Sequence, residues 1–219
     1  MTEQLAVIWD LDGVLVDTAP FHFYAWWTLC QEHGIRLTED DFKRTFGMRN
    51  PEIIATIFGK GVPEADMERM AERKEELFRD AIRGKVKPLP GAMELAGALG
   101  QSGYRQAIAS SAPRQNIELI LEALGKRNLF EAIVSAEDVR AGKPDPEIFL
   151  VAAERLGLHA ETCVVIEDAI AGVQAAKAAH MRCIGVANTH PPERLADADL
   201  VVASMEEVSV GDVDALLET

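Results

Sequence analysis

The chain has 219 residues, of which 22 are basic and 36 acidic, so its formal net charge at pH 7 is −14. This length suits one large or two small domains with a real core, and a composition that is 48% hydrophobic and 26% charged excludes disordered and collagen-like chains. The acidic excess argues against binding to nucleic acid or to anionic membranes, because both need a positive protein surface. No feature of the sequence implies a protein partner.

The cysteine pattern and the N-terminus indicate a cellular location. Cys30, Cys163 and Cys183 form no C-x-x-C pair and are odd in number, which is a poor disulfide framework and favours a reducing compartment. The first apolar stretch is interrupted by Asp10 and Asp12, and no basic residue precedes it. It therefore resembles neither a signal peptide nor a membrane span, and we expect a cytoplasmic protein.

Short apolar runs alternate with helical patterns over much of the chain. The runs have the continuous apolar character of strands buried on both faces, and they cover 5–9, 106–109, 132–134, 162–166, 182–186 and 200–203. Between the later runs, helical patterns cover 114–124, 146–156 and 169–179. Strict alternation of strand and helix predicts an α/β fold with a doubly wound parallel sheet, that is, a Rossmann-like core.

The segment over 17–87 breaks this alternation, since it contains helical patterns only. In the last of these patterns, Glu75 and Arg79 lie one turn apart and are expected to pair on the exposed side of the helix. The patterns cover 21–32, 39–46, 51–58 and 65–82. We therefore predict an α/β core domain formed by 1–16 and 88–219, and an inserted all-helical cap domain over 17–87.

Two acidic residues, Asp10 and Asp12, follow the first predicted strand, with Gly13 next to them. In parallel sheets ligands bind beyond the carboxyl ends of the strands, which is where Asp10 would lie. Alternation points Asp10 and Asp12 in the same general direction, and Gly13 lets the chain turn sharply. Two carboxylates so close repel each other unless a cation or a shared proton intervenes. The alternative is an acidic turn that is merely solvated.

The second predicted strand ends at Ser110, and Ser111 and Ala112 lead into a helix that Pro113 would begin. Hydroxyl groups and backbone N–H groups at the N-terminus of a helix form a natural cradle for an anion. We therefore include Ser111 and Ala112 among the substrate-binding candidates. Simple capping of the helix by Ser110 or Ser111 is the alternative.

Glu167 and Asp168 follow the fourth apolar run. With Asp10 and Asp12 they would bring four carboxylates to one edge of the sheet, which is costly without a hard cation. Mg²⁺ fits, because it prefers oxygen ligands, keeps several waters and can share a phosphate oxygen. For Glu167 and Asp168 alone, the alternative is acidic capping of the next helix.

Lys143 lies in a loop that Pro144 and Pro146 stiffen. A positioned ammonium is a good point charge for a phosphate group. A lysine in a loop is usually only solvated, so a functional role for Lys143 depends on the motifs that accompany it.

Taken in order, these motifs resemble those of the haloacid dehalogenase superfamily. With the helical insertion, the resemblance spans nearly the whole chain. It is closest to the subgroup of β-phosphoglucomutase-like and phosphoglycolate-phosphatase-like proteins, whose cap domain is inserted just after the first motif. The four motifs are Asp10-x-Asp12-Gly13, a strand ending in Ser110, Lys143-Pro144 and Glu167-Asp168.

The resemblance implies a catalytic role for each motif. Asp10 would be the nucleophile that forms an aspartyl-phosphate, and Asp12 would be the general acid and then the general base. Ser110 and Lys143 would hold the phosphoryl group during its transfer. Dehalogenases of the superfamily lack an acidic residue at the position of Asp12 and use no magnesium, so Asp12 points to phosphoryl transfer.

The resemblance also implies a magnesium site. The side chain of Asp10, the backbone carbonyl of Asp12 and the side chain of Asp168 would bind Mg²⁺, with Glu167 as a further ligand or directly behind the ligands. The substrate would be a small phosphorylated metabolite, because the acidic surface excludes a long polyanion.

In the cap, His22 and Trp26 share one face of the first predicted helix. In proteins of the subgroup, a histidine at the position of His22 lies near the residue that matches Asp12 and couples cap closure to it. His22 and Trp26 are therefore candidates for substrate binding. The alternative is that both side chains simply pack.

Gly47, Arg49 and Asn50 lie in a stretch that resembles the substrate-specificity loop of the cap. Phe46 and Asn50 stand where β-phosphoglucomutases have a lysine and an arginine. Ala112, near the end of the second strand, also replaces a mutase serine. A mutase must bind a second phosphate in its cap, so these departures weaken the mutase hypothesis.

The leading hypothesis is a magnesium-dependent phosphatase that hydrolyses a small phosphomonoester, such as a sugar phosphate, with the cap closing over the site. The runner-up is a phosphosugar mutase of the β-phosphoglucomutase type. A third hypothesis, a non-catalytic magnesium-binding receiver domain, is disfavoured because receivers are much shorter and lack an inserted cap.

Overall fold

The computed structural model of the chain describes residues 4–218. It divides into two compact units, Met1–Asp17 with Lys87–Thr219, and Thr18–Val86. Each junction falls one residue from the boundary expected from the sequence. The larger unit is referred to below as the core and the smaller as the cap.

The core contains a six-stranded sheet in which all neighbouring strands are parallel. Its order, β3-β2-β1-β4-β5-β6, is that of a doubly wound sheet. The strands are β1 (Ala6–Trp9), β2 (Arg105–Ala109), β3 (Ala132–Val134), β4 (Cys163–Glu167), β5 (Arg182–Val186) and β6 (Leu200–Val202). Every residue of β1 is buried, as a central strand covered on both faces requires. The order reverses between β1 and β4, so the carboxyl ends of these two strands flank the crevice where such sheets bind ligands.

The cap is helical throughout its described secondary structure. Its helices are α1 (Ala19–Glu32), α2 (Glu39–Thr45), α3 (Asn50–Ile57) and α4 (Glu64–Ile82). Trp26, Leu29 and Cys30 of α1 join Ile54 of α3 and Met70 of α4 in one hydrophobic cluster. The cap thus has a hydrophobic core of its own, to which α1, α3 and α4 contribute.

Five further helices are described in the core unit: α5 (Ala92–Gln101), α6 (Arg114–Leu124), α7 (Glu147–Arg155), α8 (Ile170–Ala178) and α9 (Val210–Leu217). The periodicity analysis did not anticipate α9, because it is short and includes valine, glycine and aspartate, which have low helix propensity. Its signal is a capping box, in which Ser209 and Asp212 bond to each other's backbone N–H groups. Within residues 4–218, no helix has the length and apolar character needed to cross a membrane.

Candidate active site

A buried lysine joins three strand ends at the carboxyl edge of the sheet. Nζ of Lys143, from the loop before α7, donates to Oδ1 of Asp10, directly after β1, at 2.6 Å. It also donates to Oε1 of Glu167, the last residue of β4, at 2.5 Å, and to the carbonyl of Ala109, the last residue of β2, at 3.3 Å. An ammonium has three N–H donors. Lys143 therefore uses all of them to tie the ends of β1, β2 and β4 together.

Glu167 is fixed at both carboxylate oxygens. Oε1 accepts from Lys143, and Oε2 accepts from the backbone N–H groups of Asp168 and Ala169 at 2.8 and 2.7 Å. A Cβ at Gly172 of α8 would overlap the Glu167 carboxylate, so only glycine permits this close approach of helix to side chain. These contacts make Glu167 a residue that orients Lys143. They do not support the expectation that Glu167 binds a metal directly.

Burial and charge shift the pKa values of Asp10 and Lys143. The pKa of Asp10 is raised to about 8, chiefly by burial; the charge of Lys143 acts to lower it, and the charges of Glu167 and Asp12 act to raise it. Burial alone would lower the pKa of Lys143, but the carboxylates of Asp10 and Glu167 outweigh it and raise that pKa. The ammonium therefore stays charged. The acidic groups around Asp10 outnumber the one cation that touches it.

The chain turns tightly after Asp10. Gly13 has φ of +85°, which glycine adopts without strain. Its N–H donates to the carbonyl of Val16 at 2.8 Å, and the N–H of Leu15 donates to the carbonyl of Leu11 at 3.0 Å. Asp12, which is half-buried, lies within this turn. The role of Asp12 as general acid stays a prediction.

Asp168 is buried directly after β4, beside the Gly13 turn. Its pKa is raised well above the ordinary value by burial and by the charges of Glu167 and Asp10. The hydroxyl of Thr189, in the segment after β5, donates to Oδ2 of Asp168. A Cβ at Gly13 would overlap this carboxylate, so Asp168 lies against the turn that follows β1.

Within residues 4–218, no group of three or more His, Cys, Asp or Glu side chains is arranged to hold a metal ion. The expected set of four converging carboxylates, Asp10, Asp12, Glu167 and Asp168, therefore does not form a metal cage. Mg²⁺ does not require one, because proteins usually hold it with one or two carboxylates together with phosphate and water. Asp10 and Asp168 are buried and have raised pKa values, which a nearby cation would lower. Two buried carboxylates, one directly after β1 and one directly after β4, are oxygen donors of the kind that Mg²⁺ prefers, so these residues fit the ion.

Ser110 lies buried at the end of β2, and Ser111 and Ala112 after it are half-buried. The Ser110 hydroxyl accepts from the backbone N–H of Ala112 at 3.1 Å. Neither serine caps α6, where the carboxylate of Glu137 accepts from the N–H of Arg114 at 3.1 Å instead. The capping alternative for Ser110 and Ser111 is therefore wrong. Their contact with a phosphoryl group stays a prediction.

The cap contains a second buried lysine, which the sequence analysis did not identify. Nζ of Lys74 lies 2.8 Å from Nδ1 of His22 and 2.9 Å from Oε1 of Glu75. Nδ2 of Asn50 donates to the same Glu75 oxygen at 2.7 Å, and the His22 ring stacks on Phe78 at 4.0 Å between centroids. Two candidate substrate-binding residues, His22 and Asn50, thus belong to one cluster, called here the cap cluster: His22, Asn50, Lys74 and Glu75. Glu75 is buried, so the expectation that it lies on the exposed side of the helix is wrong.

The other cap candidates occupy different environments. Trp26 is buried among the apolar residues of the cap, with the Lys74 ammonium 5.3 Å from a ring centroid. Its place in the hydrophobic cluster supports the packing alternative over substrate contact. Gly47 is exposed with φ of +87°, and Arg49 immediately precedes α3. Substrate contact by Gly47 and Arg49 stays a prediction.

Comparison with known proteins shows which family this chain is similar to. A family model described as haloacid dehalogenase-like hydrolase matches residues 7–186. The β-phosphoglucomutase of Bacillus subtilis (strain 168) is 35% identical over 213 residues, which cover 94% of this chain and 92% of that protein. The chloroplastic 5-amino-6-(5-phospho-D-ribitylamino)uracil phosphatase of Arabidopsis thaliana is 34% identical over 98% of this chain, which spans 58% of its length.

The fold is also similar to that of a solved relative. A crystal structure of β-phosphoglucomutase from Clostridium difficile matches this chain with a TM-score of 0.88 at 30% sequence identity. The match covers 98% of this chain and 97% of that one. The strand order and the inserted helices are thus a shared architecture and not a peculiarity of one sequence.

Proposed function

We propose that this chain, which belongs to the haloacid dehalogenase-like hydrolase family, is a magnesium-dependent phosphatase that hydrolyses small phosphomonoesters of the sugar phosphate class. The observation that carries the proposal is the buried contact of Lys143 with both Asp10 and Glu167, next to Asp168, at the ends of β1 and β4. Phosphoryl transfer needs alignment and charge neutralisation more than covalent chemistry, and this cluster supplies both.

In the first half-reaction, a carboxylate oxygen of Asp10 attacks phosphorus and the bond to the ester oxygen breaks. Asp12 gives its proton to that leaving oxygen, and an aspartyl-phosphate forms on Asp10. The Lys143 ammonium holds Oδ1 of Asp10 in place and offsets charge on the transferring group. Ser110 donates a hydrogen bond to a phosphoryl oxygen. When bound, Mg²⁺ would be held by Asp10, Asp168 and the carbonyl of Asp12, and would neutralise the phosphate oxygens.

In the second half-reaction, a water attacks phosphorus and Asp12 accepts its proton. The acyl phosphate bond breaks, inorganic phosphate leaves, and the Asp10 carboxylate is restored. Each residue returns to its starting state, so the cycle consumes one water and one phosphomonoester.

The relatives divide between phosphatase and mutase, and the cap favours the phosphatase. The Lys74 charge is already offset by Glu75 at 2.9 Å, and Asn50 donates to the same carboxylate. Neither side chain is an uncommitted partner for a second phosphate group. A mutase needs such a partner, because its intermediate carries two phosphates.

A two-product assay tests the proposal. The chain is incubated with Mg²⁺ and β-glucose 1-phosphate, and then with a panel of sugar and polyol monophosphates, while inorganic phosphate and glucose 6-phosphate are measured separately. We expect phosphate release that stops on chelation of Mg²⁺. Glucose 6-phosphate formed without phosphate would establish the mutase instead. Inactivity across the panel, unchanged by Asp10→Asn, would favour a receiver-like role.

We also propose that the chain acts in the cytoplasm on a small molecule. All three cysteines are buried and free, in keeping with a reducing compartment. The Arabidopsis thaliana relative is, by its name, a chloroplastic protein. The substrate predicted for this chain is a small phosphorylated metabolite.

A further inference from the structure

The segment that follows β5 contacts the ends of two other strands. Nδ2 of Asn188 donates to the carbonyl of Gly13, in the turn after β1, at 3.1 Å. The hydroxyl of its neighbour Thr189 donates to Oδ2 of Asp168, directly after β4. Because β1, β4 and β5 are adjacent in the sheet, these two consecutive side chains connect the ends of three neighbouring strands.

Gly13 makes this arrangement possible. A Cβ at Gly13 would overlap the Asp168 carboxylate and would lie 2.9 Å from Oγ1 of Thr189. The carbonyl of Gly13 at the same time accepts from Asn188. The turn, the carboxylate and the hydroxyl therefore pack directly on one another, and none can move far without the others.

Asp168, unlike Asp10 and Glu167, does not accept a hydrogen bond from Lys143. The three donors of Lys143 go to Asp10, Glu167 and the Ala109 carbonyl. Asp168 lies buried in the same acidic surroundings, and it accepts a side-chain hydrogen bond from Thr189. The hydroxyl both satisfies the Oδ2 oxygen and limits rotation of the carboxylate.

We propose that Asn188 and Thr189 are positioning residues for the magnesium site. Thr189 fixes the orientation in which Asp168 presents its carboxylate to the cation. Asn188 fixes the turn from which Asp12 presents its backbone carbonyl. The inference rests on the proposed function, because it takes Asp168 and the Asp12 carbonyl as magnesium ligands. It adds two residues outside the four motifs that carry the family resemblance.

Magnesium affinity of the full chain, measured by titration calorimetry without substrate, tests the inference. Thr189→Val removes the hydroxyl and keeps the shape, and we expect it to weaken Mg²⁺ binding about tenfold, as losses of such supporting hydrogen bonds commonly do. Thr189→Ser retains a hydroxyl and is expected to stay within about threefold of wild type. Asn188→Ala should weaken binding less than Thr189→Val, because it leaves Asp168 held.

A matched control uses the opposite end of β4. The Thr162 hydroxyl donates to the carbonyl of His159 at 2.9 Å, just before β4 begins. Thr162→Val removes a hydroxyl hydrogen bond from the same unit and should leave Mg²⁺ affinity unchanged, even if it lowers the melting temperature. Thr189→Val leaves the buried Asp168 carboxylate without this donor, so its melting temperature in the absence of Mg²⁺ should fall as well, and Thr162→Val shows whether such a fall by itself lowers Mg²⁺ affinity.

Wild-type affinity in Thr189→Val would overturn the inference, and so would equal weakening in Thr189→Ser, because the effect would then come from shape. The calorimetry also separates this inference from the proposed function. A chain that binds Mg²⁺ with the expected order of affinities but releases no phosphate contradicts the phosphatase proposal alone. A wild-type chain that binds no Mg²⁺ contradicts both.

Discussion

The core and the cap each bury a lysine, and the two lysines are held differently. Lys143 in the core is 5% exposed and contacts two carboxylates, Asp10 and Glu167, that come from two strand ends. Lys74 in the cap is 3% exposed and contacts one carboxylate, Glu75, and one imidazole, His22. The acidic groups exceed the ammonium in the core, whereas Lys74 and Glu75 offset each other in the cap.

This difference indicates what each cluster can still bind. With Asp168 included, the core has three buried carboxylates and one ammonium, so a divalent cation improves its charge balance. The Lys74–Glu75 pair has no such excess, so a metal ion or a second phosphate would gain little from it. The core cluster therefore favours a divalent cation, whereas the Lys74–Glu75 pair is already balanced in charge.

The largest expected effect is in the core. Asp10→Asn keeps the side chain's size but replaces the carboxylate of the proposed nucleophile with an amide, so kcat should fall at least roughly a hundredfold. Phosphate release at saturating Mg²⁺ and intact-mass detection of the phosphoenzyme measure this. Asp80→Asn is the control, since it also removes one carboxylate, from a side chain that is 78% exposed. Residual turnover in Asp10→Asn above roughly a hundredth of wild type would contradict a nucleophilic Asp10.

The next effect concerns stability. Lys143→Met leaves Asp10 and Glu167 buried without their shared cation, and we expect the free energy of unfolding to fall by about 3–5 kcal/mol. Urea unfolding in the presence of a chelator measures it, with the exposed Lys126→Met as control.

Lys74→Met sharpens the comparison between the two clusters. It takes the lysine contact from one carboxylate where Lys143→Met takes it from two, and Asn50 still donates to Glu75. Its loss of stability should therefore be the smaller. A loss below about 1 kcal/mol for Lys143→Met would place that contact in the range of surface ion pairs and remove the distinction.

The core site was largely predictable because a parallel sheet brings the carboxyl ends of its strands to one edge. Asp10, Glu167 and Asp168 each end or follow an apolar run, so locating the runs located the carboxylates. Lys143 lies on a loop, and only the other three motifs of the family indicated that it has a functional role. Contacts such as Thr189 with Asp168 could not be read from the sequence, because they depend on how a loop returns to the sheet.

The cap cluster escaped prediction for a different reason. Lys74 and Glu75 are charged and lie in a helix rich in charged residues, where the default expectation is exposure. Their burial depends on His22 and Asn50, which come from two other helices. Helical periodicity identifies an apolar face, but it does not reveal a polar pair that another helix covers.

The smallest effect tests whether charge holds the cap cluster. Burial raises the pKa of Glu75, but the charges of Lys74 and His22 and the bonds from Lys74 and Asn50 outweigh it, so the pKa falls below its ordinary value of 4.5. A carboxylate with a lowered pKa contributes stability that is complete above its unfolded pKa and is lost as the pH falls through the folded value. Glu75→Gln should therefore cost about 1–3 kcal/mol near neutral pH and progressively less below pH 4.5.

Urea unfolding of wild type and Glu75→Gln from pH 7 down to pH 3.5 measures this difference. The adjacent Glu76→Gln is the matched control, because Glu76 is 58% exposed and its substitution should leave the free energy of unfolding nearly unchanged across the range. A Glu75→Gln deficit that shrinks on acidification means that the carboxylate charge, through Lys74, holds the cap cluster together. A deficit that stays constant means that the glutamate acts there by shape and hydrogen bonding alone, and the two lysines would then differ in kind as well as in number of partners.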